Sequence, residues 1–160
     1  MKKLLTLFVV VLCIVGCTKM ETNPGTGILS AGSEAGVNVV KSRSAFLVSH
    51  PWKYQSYYFH YADQQHKGDP QYVRGATNNI LDLDSTLYIF KKNGTFVEYD
   101  GGYKYPGTWT FSDNTASLLI LDYTYWTDKD SVLVLNNSLC NYTQPLGYHD
   151  KTYTELIQAP

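Results

Sequence analysis

Every aromatic side chain beyond Phe8 lies between positions 46 and 157, and through that stretch apolar residues return at every second position. A period of two is the spacing of a strand with one face buried, and no helical pattern longer than two turns interrupts it. The stretch predicts an all-β domain over residues 46–160. Turn residues recur about every 8–12 positions, which favours an antiparallel up-and-down meander of about eight or nine strands, each bonded to the next in sequence. Closing that sheet into a small barrel of about eight strands removes the free edges that would otherwise recruit other chains.

Strands are expected at residues 52–61, 72–77, 86–91, 95–99, 107–112, 117–123, 131–136, 139–143 and 152–158. A polar loop falls over 62–71 and a charged turn near 127–130, where Asp128 and Asp130 read as solvated turn residues. The firmest local feature is the hairpin around Lys92-Asn93-Gly94, since Asn and Gly tolerate the positive φ of a tight turn. A two-residue loop would set Phe96 against Lys91 and Ile89 against Glu98. A three-residue loop ending in a Gly94 bulge instead sets Phe90 against Phe96 and Ile89 against Val97, matching apolar with apolar.

Ahead of the domain, Lys2 and Lys3 precede an apolar run over residues 4–15, broken only by Thr6 and ending in Ile14-Val15-Gly16-Cys17. The run is short of the roughly 20 residues that a spanning helix needs, so residues 1–16 read as a secretion signal. Residues 17–45 read as a flexible tether: they hold Gly25, Gly27, Gly32 and Gly36 and no aromatic, too little apolar surface to offset the ordering entropy. Only residues 37–40 are expected to be partly ordered. Cys13 leaves with the signal, and the place of Cys140 in a strand suits a small buried residue.

Composition narrows the function. Without Lys2 and Lys3 the chain has 11 basic and 14 acidic residues and no basic block, which argues against a nucleic-acid partner. No Gly-x-Ser-x-Gly, His-Glu-x-x-His or phosphate-cradling glycine loop occurs, so no catalytic residue and no cofactor are expected. Asp82-Leu83-Asp84 opens like a calcium loop, but Leu87 stands where the sharp turn needs glycine and Asn93 where a bidentate acid belongs. His50, His60, His66 and His149 are scattered, and the cluster of His60, Asp63, His66 and Asp69 reads as a solvated loop, so no metal site is expected.

Fourteen tyrosines and three tryptophans exceed what the core of so small a domain needs. Trp52, Phe90, Phe96, Trp109 and Phe111 are expected inside the barrel. Tyr54, Tyr57, Tyr58, Tyr61, Tyr123, Tyr125 and Trp126 cluster at strand ends and turns, and are the candidates for ligand contacts at its rim.

Two resemblances add to this. Ile14-Val15-Gly16-Cys17 resembles a lipobox, which implies a diacylglycerol on the Cys17 thiol and cleavage before it, hence a protein held to a membrane without crossing it. Acylation of Cys17 would also leave Cys140 with no partner for a disulfide within the chain. Thr18, rather than aspartate, follows Cys17, which by the same resemblance implies the outer membrane and leaves the leaflet open. Residues 47–53, Phe90-Lys91-Lys92-Asn93-Gly94-Thr95-Phe96, Gly107-Thr108-Trp109-Thr110-Phe111 and residues 118–121 resemble the lipocalin-like domains of Gram-negative envelope lipoproteins. That likeness implies a small antiparallel barrel with Trp52 packed across one end, although Ser49-His50-Pro51 stands where lipocalins carry glycine. Two readings follow. The barrel binds a small hydrophobic molecule, or its interior is filled and an aromatic surface binds a protein or a glycan.

Overall fold

The structure, a computed structural model, describes residues 31–147 and 149–160. The signal at 1–16, Cys17 and the first part of the tether lie outside the described residues. One helix, α1 (Ala31–Leu47), precedes nine strands: β1 (Trp52–Phe59), β2 (Asp69–Val73), β3 (Leu87–Phe90), β4 (Thr95–Asp100), β5 (Tyr103–Phe111), β6 (Leu118–Tyr123), β7 (Thr127–Leu135), β8 (Leu139–Leu146) and β9 (Asp150–Gln158).

The domain is all-β, with eight strands closing an antiparallel barrel. Strands β3 to β9 pair in sequence order, β9 returns to β1, and β1 meets β3 through Trp52–Tyr88 and Lys53–Leu87. The meander expectation fails at one joint. Strand β2 pairs only with the far half of β1, from Ser56 to Phe59, and does not pair with β3. It lies outside the closed cylinder as a ninth strand. Its position at 69–73 also takes the end of the expected polar loop and stops short of the expected 72–77.

The central hairpin has the register set by matching apolar faces: Phe90 opposes Phe96 and Ile89 opposes Val97, with Gly94 at φ 80°. Two further turns differ. Gly101 and Gly102, both at positive φ, make the β4–β5 turn, so β5 begins at Tyr103 rather than at 107. The charged turn expected at 127–130 is instead the opening of β7, and Asp130 is fully buried there. Thr127-Asp128-Lys129-Asp130 showed no apolar alternation because the inward positions are themselves acidic.

The tether expectation is corrected for its last part, which is the helix α1. Its shielded positions are Gly36, Val40, Arg43, Ser44, Phe46 and Leu47, with Val37 and Val39 pointing to solvent. A stripe of Gly, Arg and Ser carries little hydrophobic signal, and these residues hold the helix by other means. Gly36 sits so close to the β5–β6 turn that a Cβ there would lie 3.0 Å from that of Asn114, and the Arg43 guanidinium donates to the Ala116 carbonyl at 2.8 Å. Asp113 fastens that same turn. Burial would raise its carboxyl, but the hydroxyls of Ser117 and Thr115 and the backbone N–H groups of Leu118 and Ser117 outweigh it and hold it down to about 2.

The end of α1 seals one end of the barrel. Leu47 is fully buried, and its carbonyl accepts from the Trp52 indole N–H at 2.8 Å. Trp52, Phe90, Phe96, Leu119, Leu135 and Leu156 fill the space above it. Gly107 is required by the same packing: a Cβ would meet the Phe96 ring at 2.5 Å and the Asp122 carbonyl at 2.6 Å. No helix among the described residues is long and apolar enough to cross a membrane.

Candidate functional site

Inward-facing positions follow from the register. On β7 they are Asp128, Asp130, Val132 and Leu135, because Asp130 opposes Leu119, Val132 opposes Tyr142 and Leu135 opposes Cys140. On β4 they include Phe96 and Glu98, on β8 Cys140, Tyr142 and Gln144, and on β9 Thr152, Thr154 and Leu156. The interior is therefore graded along its axis. The floor beside α1 is apolar, and the half nearer the opposite end is lined by phenols, hydroxyls and carboxylates.

In that upper half the phenols of Tyr54 and Tyr88 lie 3.0 Å apart, Tyr88 donates to Glu98 Oε1 at 2.9 Å, and Tyr123 donates to Glu98 Oε2 at 2.6 Å. A phenol has one hydrogen, so Tyr54 donates to Tyr88 and Tyr88 to Glu98. Burial raises the Glu98 carboxyl above its ordinary range, and the hydroxyls of Tyr123 and Tyr88 oppose the rise. Burial also drives Tyr54, Tyr88, Tyr123 and Tyr142 upward, so these phenols stay neutral donors.

Asp130 is the unusual group. It is 0% exposed, and neither carboxylate oxygen has a hydrogen-bond partner. Burial and the neighbouring Asp128 carboxylate push its carboxyl up to about 8; the Gln144 amide comes near enough to offset this in part without reaching hydrogen-bonding geometry. Asp128, nearer the mouth, is raised by burial and lowered in part by Trp126 and Gln144. The Oγ1 atoms of Thr152 and Thr154 are buried and unpartnered as well. Tyr57 reaches toward Thr152 and feels the Asp128 charge, which places its hydroxyl in the same upper chamber.

Two depressions flank the β6–β7 turn at this end. One of about 240 Å³ is lined by Tyr105, Tyr123, Tyr125 and Trp126, and one of about 290 Å³ by Thr127, Asp128, Lys129, Gln144 and Pro145. Trp126 stacks on Tyr123 with ring centroids 4.4 Å apart, while Tyr125 projects into solvent at 90% exposure.

The expected rim set does not form one site. Tyr123 and Trp126 stack at the mouth and Tyr125 stands outside it, Tyr57 packs on Tyr54 and Phe59 and reaches toward Thr152, and Tyr54 lies in the interior. Tyr58 and Tyr61 lie on the outer wall, where Tyr61 stacks on Tyr153 at 5.0 Å and Lys67 sits over the Tyr153 ring at 4.8 Å. Of the expected interior set, Trp52, Phe90 and Phe96 are buried in the floor, and Trp109 and Phe111 are partly buried against it. The chemistry-bearing residues that sequence reading missed are Glu98, Asp128 and Asp130. The signal that could have found them was the alternation of Asp128 and Asp130 in phase with Val132.

The histidine loop resolves into pairs. His60 Nδ1 lies 2.7 Å from Asp69, which raises the imidazole, and His66 Nδ1 lies 2.9 Å from Asp63. Asp84 accepts from the Tyr72 hydroxyl at 2.6 Å and lies 3.5 Å from Arg74. Among the described residues no three His, Cys, Asp or Glu side chains converge as metal ligands would. Cys140 is a free, buried thiol, pushed by burial up to about 12.

No family model matches the chain, and no curated protein matches it. Among solved structures the fold is similar to that of a DUF4847 family protein from Bacteroides vulgatus ATCC 8482, determined at 1.00 Å resolution. That likeness has a TM-score of 0.51 at 15% identity and covers 71% of this chain and 94% of the other, and it is a likeness of fold.

Proposed function

We propose that the chain is a non-catalytic, lipid-anchored envelope protein whose lipocalin-like barrel takes up a small molecule through the end opposite α1. One observation carries this reading. The barrel is sealed at one end by α1 and Trp52, while the other half of its interior holds Asp130, Thr152 and Thr154 with buried polar atoms that no group among the described residues satisfies. Leaving such groups unpaired costs about 1–3 kcal/mol each, so an interior that retains several is one that a bound molecule or ordered water completes. The aromatic mouth, with Tyr57, Tyr123 and Trp126, supplies apolar faces for the body of such a ligand.

The test is uptake of Nile red, a neutral apolar dye, by the purified full-length protein, together with native mass spectrometry for a copurifying small molecule. Saturable dye uptake that Trp126→Ala weakens supports the reading; no uptake and a clean apo mass sink it. In that event the exposed Tyr103, Tyr125 and Trp126 at the same end favour a protein or glycan partner instead.

The anchor is proposed on Cys17, with the outer membrane as its place. Cys17→Ala is expected to move the protein from the membrane to the soluble fraction of cells, as loss of the acyl chains removes about 0.8 kcal/mol per buried CH₂. Unchanged partitioning would remove the lipoprotein assignment.

A further inference from the structure

The barrel interior carries the carboxylates of Glu98, Asp128 and Asp130, yet among the described residues no lysine, arginine or histidine occupies an inward-facing strand position. Buried carboxylates are ordinarily paired, because an isolated charge in a low-dielectric interior is strongly disfavoured. Glu98 has two phenolic donors, whereas Asp130 has none. Independently of the acids, Thr152 and Thr154 on the facing strand present unpartnered hydroxyl oxygens at 2% and 1% exposure. Thr152 pairs with Gln144, whose amide approaches Asp130, and Thr154 pairs with Tyr142, which feels the Asp130 charge. Asp130, Thr152 and Thr154 thus face one interior, and each can accept a hydrogen bond, whereas the unpaired Asn141 oxygen lies on the outward face of β8 beside Tyr153.

Resting on the binding role proposed above, we infer that this chamber is an ammonium site: a small organic amine enters beside Trp126 and places its cationic head between Asp130, Asp128 and the two threonine hydroxyls. An ammonium carries three donors and no acceptor, which suits the carboxylate oxygens and the lone pairs of the two hydroxyls. Its apolar body lies against Tyr57, Tyr123 and Trp126, whose ring faces are negative and favour a neighbouring cation. An organic cation suits the site better than a metal ion, since among the described residues no third His, Cys, Asp or Glu converges with Asp128 and Asp130.

The experiment is calorimetric titration of the full-length protein with three compounds that share one body: tryptamine, tryptophol and indole-3-acetate. Tryptamine is expected to bind at least about tenfold more tightly than tryptophol, the scale of a charge-assisted hydrogen bond, and indole-3-acetate more weakly than either. Asp130→Asn, which keeps shape and removes charge, should erase the preference for tryptamine over tryptophol.

Tryptamine affinity should also rise as pH is raised from 5 to 8, because the amine stays charged while Asp130, pushed up to about 8, ionises; tryptophol affinity should stay flat. The titratable and charged groups around Asp130 are Asp128 on its own strand and Cys140 and Tyr142 on β8, with Arg43 of α1 acting on Cys140, Glu98 and Tyr57 facing Asp128, and Lys129 lining the depression beside Asp128. Burial raises the Asp128 and Glu98 carboxyls in the same direction as that of Asp130. Equal binding of amine and alcohol, or a preference that survives Asp130→Asn, overturns the inference while leaving the binding role intact. Calcium chloride that binds where tryptamine does not also overturns it. Failure of all three compounds together with failure of Nile red uptake overturns both.

Discussion

Replacing Trp52 by alanine should lower the unfolding free energy by about 3–5 kcal/mol, the range for emptying a fully buried large aromatic site. The indole is 0% exposed and closes the floor of the barrel, where it meets the His50 ring at 4.2 Å and the end of α1. Three losses coincide. The apolar surface of the ring returns to water, a cavity opens beneath Phe90 and Phe96, and the Leu47 carbonyl loses its donor. The neighbours cannot collapse into the space, since Gly107 already holds the Phe96 ring against the β6 backbone. Trp52→Phe separates the contributions: it keeps most of the volume and loses the hydrogen bond, so a smaller cost of about 1–2 kcal/mol is expected. Urea unfolding of the three proteins measures this. A Trp52→Ala loss below about 1 kcal/mol would mean that α1 and the indole do not close the barrel.

Asp130→Asn should stabilise the protein at pH 8 by about 2–5 kcal/mol and change little at pH 4, because each tenfold difference in proton affinity between the folded and unfolded chain is worth about 1.4 kcal/mol. The sign follows from the protons. In the folded chain burial holds the Asp130 carboxyl up to about 8, against an ordinary 3.8. Between those values the folded state keeps a proton that the unfolded state releases, so stability is greatest below about 4 and falls as pH rises toward 8. Glu98 and Asp128 are raised by burial in the same direction and steepen the fall. The exposed His60–Asp69 pair is common to parent and variant and cancels in the difference. Urea midpoints at pH 4.5, 6 and 8 test this. Parent and variant curves offset by a constant amount at all three would show that Asp130 ionises freely in the folded state.

The β3–β4 hairpin was legible down to its register because the information is local. Phe90, Ile89, Phe96 and Val97 leave one pairing that sets apolar against apolar, and Asn93-Gly94 supplies the conformation that this pairing needs. The helix α1 was not legible, since its half-buried stripe of Gly36, Arg43 and Ser44 has meaning only against the turn it packs on. The start of β7 was hidden for a related reason. Polar residues in alternation suggest a turn until a partner strand shows that Asp128 and Asp130 share the inward face with Leu119 and Leu121.

The candidate site divides along the same line. Tyr57, Tyr123 and Trp126 were found because aromatics near strand ends stand out by type, yet Tyr54 went to the interior and Tyr58 and Tyr61 to the outer wall. Rotation of a strand by one residue exchanges inside for outside, and the bulge between Tyr54 and Ser56 makes such a change within β1. Glu98, Asp128 and Asp130 were absent from the expected site because an acid is ordinarily a surface residue, and only the closed cylinder puts three of them in one chamber.

By itself the sequence determined a β-meander dense in aromatics, with one hairpin in register and an apolar leader ahead of it. These properties depend on side-chain type and spacing over a few residues. The place of β2 outside the cylinder, the sealing of one end by α1 and the acidic chamber beneath the other were decided only by the tertiary structure. Each of those depends on which distant strands become neighbours, and burial turns an ordinary carboxylate such as Asp130 into a group that needs a partner.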